Sequence, residues 1–271
     1  MDLRDLFGIE HPIIQAPMAG AQNHLLAAAV CEAGGLGSIP AGMLNAEALD
    51  AELTAIEALT DRPYNVNFFC HQTPAADPTA FDAWHRMLAP MFTEFAIDPA
   101  GIPTGATRQP FDAAMAAVLE RHKPALVSFH FGLPAPDLLQ RARATGAKIA
   151  STATTAAEGL WLQQHGVDLV IAQGLEAGGH RGIFLSEDLT TQLGTFALLP
   201  QLVGGDDVAR RAQPRHGITI IFTNHWSAEL TGGFALSQLH DRFSIRRGRR
   251  RGRRAGVAGG RAACWRRRSR G

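Results

Sequence analysis

A parallel α/β barrel is the fold class this sequence predicts, and three observations predict it. Short β-branched or aromatic runs alternate with longer helical patterns through the first 200 residues, the order that builds successive βαβ units. Polar residues fall late in the strand-like runs: Gln15, Asn67, Ser128 with His130, Ser151 with Thr152, and Gln173. Strands buried on both faces are apolar through their middles and turn polar where they reach a common mouth. The length of 271 residues suits one barrel of roughly 250 residues better than two small domains.

The elements follow in order. HPIIQAPM reads as a first strand, and NHLLAAAVCEAG as a helix with apolar residues at helical spacing that stops at Gly34. LGSIP is a second strand, followed by a helix from an Asn45 N-cap to about Leu59. YNVNFF is a third strand. The stretch 78–122 is helical but interrupted by the loop DPAGIPTGATRQP. ALVSFHFG is a fourth strand, leading to a helix that begins near Pro134 and ends by Gly146. KIASTAT is a fifth strand, TAAEGLWLQQHG its helix, and VDLVIAQG a sixth strand. Six βα units are therefore expected, a barrel incomplete by two. GITIIFTN, 217–224, has strand character and could partly fill the seventh position.

The most informative stretch for function is IAQGLEAGGHRG, residues 171–182. It sets an apolar strand directly before a glycine turn holding one histidine. Gly178 and Gly179 can adopt positive φ and turn their N–H groups toward an anion or a ring edge, while His180 is a group suited to proton transfer near neutrality. Gln15, Asn67 and Gln173 carry amides that donate and accept, which suits a ring edge of alternating carbonyl and N–H groups as well as a bond to a neighbouring loop. His130 stands at the same mouth.

Composition limits the alternatives. Residues 1–200 hold 10 Lys and Arg against 21 Asp and Glu, whereas residues 201–271 hold 16 Arg against 4 acids, so the two parts read as different kinds of sequence. The Arg, Gly and Ala of residues 246–271 are low in complexity and are expected to be disordered. Cys31, Cys70 and Cys264 lack CxxC spacing, so neither a disulfide framework nor a metal site is expected. Neither a signal peptide nor a membrane-spanning run of about 18 apolar residues is expected, and a cytoplasmic location follows. The Arg-rich tail could bind nucleic acid through phosphates. It has no helical face and only Trp265 nearby for stacking, so nucleic acid is not the expected partner.

Together QAPMAG (15–20), AGGLGSI (33–39), NVNFF (65–69), SFHFGLP (128–134), KIASTATT (148–155) and AQGLEAGGHRG with the following DLTTQLGTFALLPQ resemble the nitronate monooxygenase family, formerly the 2-nitropropane dioxygenases, through about Val203. The resemblance implies a TIM (β/α)8-type barrel that binds FMN and oxidises alkyl nitronates, such as propionate 3-nitronate, with O2 to a carbonyl compound and nitrite. It implies His180 as the catalytic residue. Ala16, Pro17, Met18, Asn67, Gln173, Gly178 and Gly179 would contact the flavin, with Gln15 and His130 on the substrate side and no metal. FMN-dependent enoyl-[acyl-carrier-protein] reductases share the first-strand motif and the AGGHxG turn, and remain an alternative that SFHFGLP disfavours.

After LLPQLV the resemblance stops. The expected glycine pair after a seventh strand and the Gln-x-Gly-Thr ending of an eighth are replaced by GGDDVARRAQPRHGITIIFTN and the Arg-rich run. The expected organisation is a barrel portion at 1–203, an atypical segment at 204–245 and a tail at 246–271. Loops after strands 7 and 8 commonly hold a cofactor phosphate, so FMN affinity is expected to suffer. Unpaired edges would call for a partner, a second copy included. The shift to residues with GC-rich codons is what a change of reading frame near codon 204 would produce, giving an inactive fragment as a further alternative.

Overall fold

The computed structural model describes residues 2–75, 77–102, 108–204 and 219–223. Helix α1 is Leu3–Phe7, α2 His24–Glu32, strand β1 Gly37–Pro40, α3 Ala46–Glu57, β2 Tyr64–Phe69, α4 Pro78–Glu94 and α5 Ala113–His122. Then come β3 Leu126–His130, α6 Pro136–Ala144, β4 Lys148–Ala153, α7 Ala156–Gln164, β5 Leu169–Gln173, α8 Thr195–Gly204 and β6 Thr219–Thr223. All six strands pair in parallel in the chain order β1-β2-β3-β4-β5-β6. This is the sheet of an α/β barrel that stays open among the described residues.

Local chemistry explains most boundaries. The Asn23, Asn45, Asp112 and Thr155 side chains each accept an N–H from the first turn of α2, α3, α5 and α7 respectively, meeting donors that a helix start leaves unpaired. Gly34 at φ +86° turns the chain after α2. Gly37 lies where α2 crosses β1: a Cβ there would meet the Ala27 carbonyl oxygen and the Cys31 sulfur.

The expected first strand is not formed. HPIIQAPM makes one parallel bridge, Ile14 to Leu36, with Gln15 N–H donating to the Leu36 carbonyl at 2.9 Å and Leu36 N–H to Ile13 at 2.9 Å. Pro12 and Pro17 bracket the segment without donors and fix φ, leaving room for a single ladder step. The sixth strand comes instead from Thr219–Thr223, within GITIIFTN, whose Leu169↔Thr219 to Gln173↔Thr223 register extends the sheet beyond β5. The expected segments at 204–245 and 246–271 otherwise lie outside the described residues.

Strand alternation divides most strand side chains between two cores, with a third, smaller cluster of Ala172, Leu198 and Leu199 where α8 meets β5. Val66, Phe68, Val127, Phe129, Ile149 and Val170 face outward onto α3, α5 and α6, meeting Leu49, Leu53, Ile56, Leu119 and Leu139. Inside, Leu36, Leu126, Ala150 and Leu169 stack with Leu3, Phe7 and Ile9, so α1 closes the end of the sheet where the strands begin. Above that apolar layer the interior becomes polar: Asn65 donates to Ser38 Oγ at 3.0 Å, and Ser38 Oγ donates to the Gln15 carbonyl at 2.6 Å.

Candidate active site

The loop after β5 is shaped by its own arginine. Arg181 donates through Nη1 to the Gly174 carbonyl and through Nη2 to the Ala177 carbonyl, both at 2.7 Å. Gly174 lies so close to Thr195 that a Cβ would collide with its Oγ1 and main-chain nitrogen. Gly179 takes φ +77° with open space around it, the left-handed turn that glycine enters without a Cβ clash. Glu176 accepts the Thr195 N–H at 2.9 Å at the start of α8.

This turn exposes His180 at the mouth. Its Nε2 lies 2.8 Å from Arg108 Nη1. A guanidinium only donates, so Nε2 accepts and Nδ1 carries the proton in this contact. The ring sits 5.3 Å from that of Phe69 and 6.1 Å from that of Phe131, edge to face. The main chain is held as firmly as the side chain is open: the His180 carbonyl accepts from Gln173 Nε2 and from His130 Nε2, each at 2.9 Å. Gln173 Oε1 in turn accepts the Gly182 N–H at 2.7 Å.

His130 ends β3 and is packed against that loop. Its Nε2–H donates to the His180 carbonyl, so Nδ1 is the acceptor and Thr152 Oγ1 donates to it at 3.0 Å. Burial pushes its pKa down to about 4, with the neighbouring His180 and Arg181 acting in the same direction and the bond to the His180 carbonyl and the charge of Glu158 opposing. His130 is therefore a neutral imidazole at pH 7, and both its nitrogens are engaged.

The remaining expected site residues fall at the same end of the sheet. Asn67 on β2 is buried, its Nδ2 donating to Ser128 Oγ at 3.0 Å, and Phe69 two residues later is the ring against His180. Gln15 donates to Gln22 Oε1 at 3.0 Å and accepts the Ser38 N–H at 3.0 Å. Ala16, Pro17 and Met18 continue from it half-buried, and Met18 accepts the Ala21 N–H at 3.0 Å. Gly178 and Gly179 make no main-chain donation among the described residues. The amides of Gln15 and Gln173 are thus spent within the protein, whereas Asn67 keeps its oxygen free of a hydrogen bond among the described residues.

Sequence reasoning missed three participants. Phe131 sits at φ +67° after β3, a strained backbone for an aromatic residue; the following glycine was its only local signal. Arg108 comes from a Gly/Pro-rich loop 72 residues from His180. Glu158, fully buried, stands three residues after the Thr155 N-cap like an ordinary capping-box acid, but its carboxylate reaches Thr154 and the His180 loop instead.

Comparisons with known proteins identify the relatives of the chain. The nitronate monooxygenase family model matches residues 1–209. A nitronate monooxygenase of Paraburkholderia phytofirmans is 46% identical over 197 residues, covering 72% of this chain and 54% of that protein. One of Pseudomonas aeruginosa is 43% identical over 196 residues, covering 72% and 56%. The chain thus spans about half the length of the curated relatives it matches. Among solved structures, a nitroalkane oxidase from Streptomyces ansochromogenes superposes with a TM-score of 0.67 at 37% identity, over 81% of this chain and 60% of the other. A mutant of FabK from Thermotoga maritima gives 0.53 at 25% identity, over 81% and 55%. With the family model matching more than half of its residues and a relative 46% identical over 72% of it, the chain belongs to the nitronate monooxygenase family.

Proposed function

We propose that this chain builds the catalytic mouth of an FMN-dependent enzyme that oxidises alkyl nitronates with O2 to a carbonyl compound and nitrite. The observation that carries the reading is the placement of His180. Its imidazole stands at an open mouth with an accepting Nε2, while its carbonyl is fixed by the side chains of Gln173 and His130.

The residues present suit the ring of a flavin. The unspent N–H groups of Gly178 and Gly179 and the free oxygen of Asn67 offer donors and an acceptor to a ring edge, and Ala16, Pro17 and Met18 offer a half-buried apolar wall. When bound, the flavin supplies the redox step between nitronate and O2. The protein's own groups do the rest. Once substrate draws Arg108 Nη1 away, His180 Nε2 is free to take the α-proton of a nitroalkane, or to donate to the nitronate once protonated. Arg108 directs a positive charge at the same point and favours an anionic substrate. Phe69 and Phe131 flank the imidazole edge to face and leave it open to substrate. Gln173 serves the loop by holding both His180 and Gly182.

The same reading places the barrel portion at 1–203, with 204–245 and 246–271 as separate segments, in a cytoplasmic protein that pairs its open sheet with a second copy. Among the described residues no helix is long and apolar enough to cross a membrane. The test is nitrite release and O2 uptake by the full chain supplied with FMN and a nitronate. His180→Asn is expected to lower kcat by about 10²- to 10⁴-fold. An unchanged rate in that variant, or NAD(P)H-dependent reduction of an enoyl thioester in place of nitronate oxidation, would overturn the reading.

A further inference from the structure

We propose that Glu158 and His130 are positioning residues for His180, acting through the main chain of the loop that carries it. This rests on the reading of His180 as the proton-handling group.

Between Gly178 and Leu185 the main chain makes no hydrogen bond to other main chain among the described residues. Every recorded bond to it comes from a side chain. His130 on β3 and Gln173 on β5 hold the His180 carbonyl, and Gln173 also takes the Gly182 N–H. Glu158 on α7 holds the far end: Oε1 accepts the Phe184 N–H at 2.7 Å and the Leu185 N–H at 3.2 Å. Its Oε2 accepts the Thr154 N–H at 2.7 Å and Thr154 Oγ1 at 2.8 Å. A fully buried carboxylate is thus met by four donors with no cation bonded to it among the described residues. It ties the end of β4 to the returning limb of the loop. Three elements therefore fix the loop's main chain, while the Phe69 and Phe131 rings flank the His180 side chain that reaches Arg108.

Neither residue can be the proton carrier. His130 has both nitrogens engaged and Glu158 lies beneath the loop with all its bonds to the protein. Their effect on the reaction is geometric, and small displacements of a catalytic group are costly in rate.

The test uses the full chain without flavin or nitronate: amide hydrogen exchange across the loop, and the ¹⁵N signature of His180 Nε2. Glu158→Gln leaves one oxygen for four donors and is expected to lower protection at Phe184 and Leu185 by at least about tenfold. The amides of β2 and β3 should keep their protection, and the Nε2 signal should move. His130→Gln, which keeps a donor near Nε2, should preserve the His180 signature, and His130→Leu should lose it. Uniform loss of protection in Glu158→Gln would make it a general brace and overturn the proposal, as would an unmoved His180 signal in both Glu158→Gln and His130→Leu. Should Glu158→Gln fail to fold, the His130 pair decides alone. If the loop loosens as expected but His180→Asn retains full nitronate oxidation, the positioning geometry stands and the catalytic assignment of His180 falls.

Discussion

Protonating His130 is the sharpest perturbation the site allows, because one proton removes the lone pair that Thr152 Oγ1 donates to and places a charge beside His180 and Arg181. The ordinary histidine value of 6.5 is lowered to about 4 in the fold. A depressed histidine is held neutral by the folded state, so between these two values the unfolded chain binds more protons and stability rises with pH. The contribution is therefore complete above about pH 6.5 and is lost as pH falls toward 4. Two and a half units correspond to about 3 kcal/mol at 1.36 kcal/mol per unit, a large share of the 5–15 kcal/mol typical of domains. The assay is denaturant unfolding of the parent chain and His130→Gln at steps from pH 7.5 to 4. Gln keeps the donor to the His180 carbonyl and cannot titrate, so Glu158, Arg181 and the surface carboxylates, common to both, cancel in the difference. The difference is expected to swing by about 3 kcal/mol against the parent over that range, and an NMR titration of His130 should show its midpoint near 4. Parallel stability curves would refute the assignment of a buried, neutral His130.

Other substitutions read other parts of the chain. Arg108→Gln removes the cation 2.8 Å from His180 Nε2 and is expected to raise KM for a carboxylate-bearing nitronate by about tenfold or more, and less for a simple alkyl nitronate; equal effects on both would place Arg108 on the imidazole alone. Phe129→Ala empties a fully buried site between Phe68 and Phe111 and should cost about 3–5 kcal/mol in denaturant unfolding. Gly37→Ala drives a Cβ into the α2 backbone and should destabilise the chain by about 1–3 kcal/mol, with a shift no larger than surface substitutions produce counting against the close crossing of α2 and β1.

The strands and caps were legible because their signals are local. Asn45 before an apolar helical pattern and polar Asn67, Ser128 and Gln173 at the ends of β-branched runs need no distant information, and each stands where the pattern put it. HPIIQAPM misled because its composition is that of a strand while Pro12 and Pro17 remove the donors that would make it one. The glycine turn and its exposed histidine were legible in Gly179 and His180, but the supports of the loop were not. Glu158 meets Phe184 across 26 residues and Arg108 meets His180 across 72, and no periodicity encodes which buried carboxylate faces which turn. His130 was visible as a histidine at the mouth. Its neutrality follows from burial and from the His180 carbonyl opposite it, which are properties of the packed site.

The proposed binding of FMN carries a further prediction, about which part of the cofactor the mouth would grip. The helix start that follows the glycine turn in the chain is that of α8, and it is occupied: both carboxylate oxygens of Glu176 accept the Thr195 N–H. Burial raises the pKa of Glu176, but the bonds from Thr195 and the charge of Arg181 outweigh it and leave the group below its usual range, so at neutral pH it is an anion. A phosphate brought to that helix start would meet a carboxylate in the position an anion prefers. The groups left unspent among the described residues, the N–H pair of Gly178 and Gly179 and the Asn67 oxygen, instead suit the uncharged ring. Riboflavin, which has the ring without the phosphate, is therefore expected to bind the full chain within about threefold of FMN, whereas two charge-assisted bonds to a phosphate at about 1.5–3 kcal/mol each would favour FMN by about a hundredfold or more. Fluorescence quenching of the two flavins by the purified chain measures the ratio directly. A preference for FMN near a hundredfold would mean that the phosphate is held away from α8, and would refute a mouth that recognises only the ring.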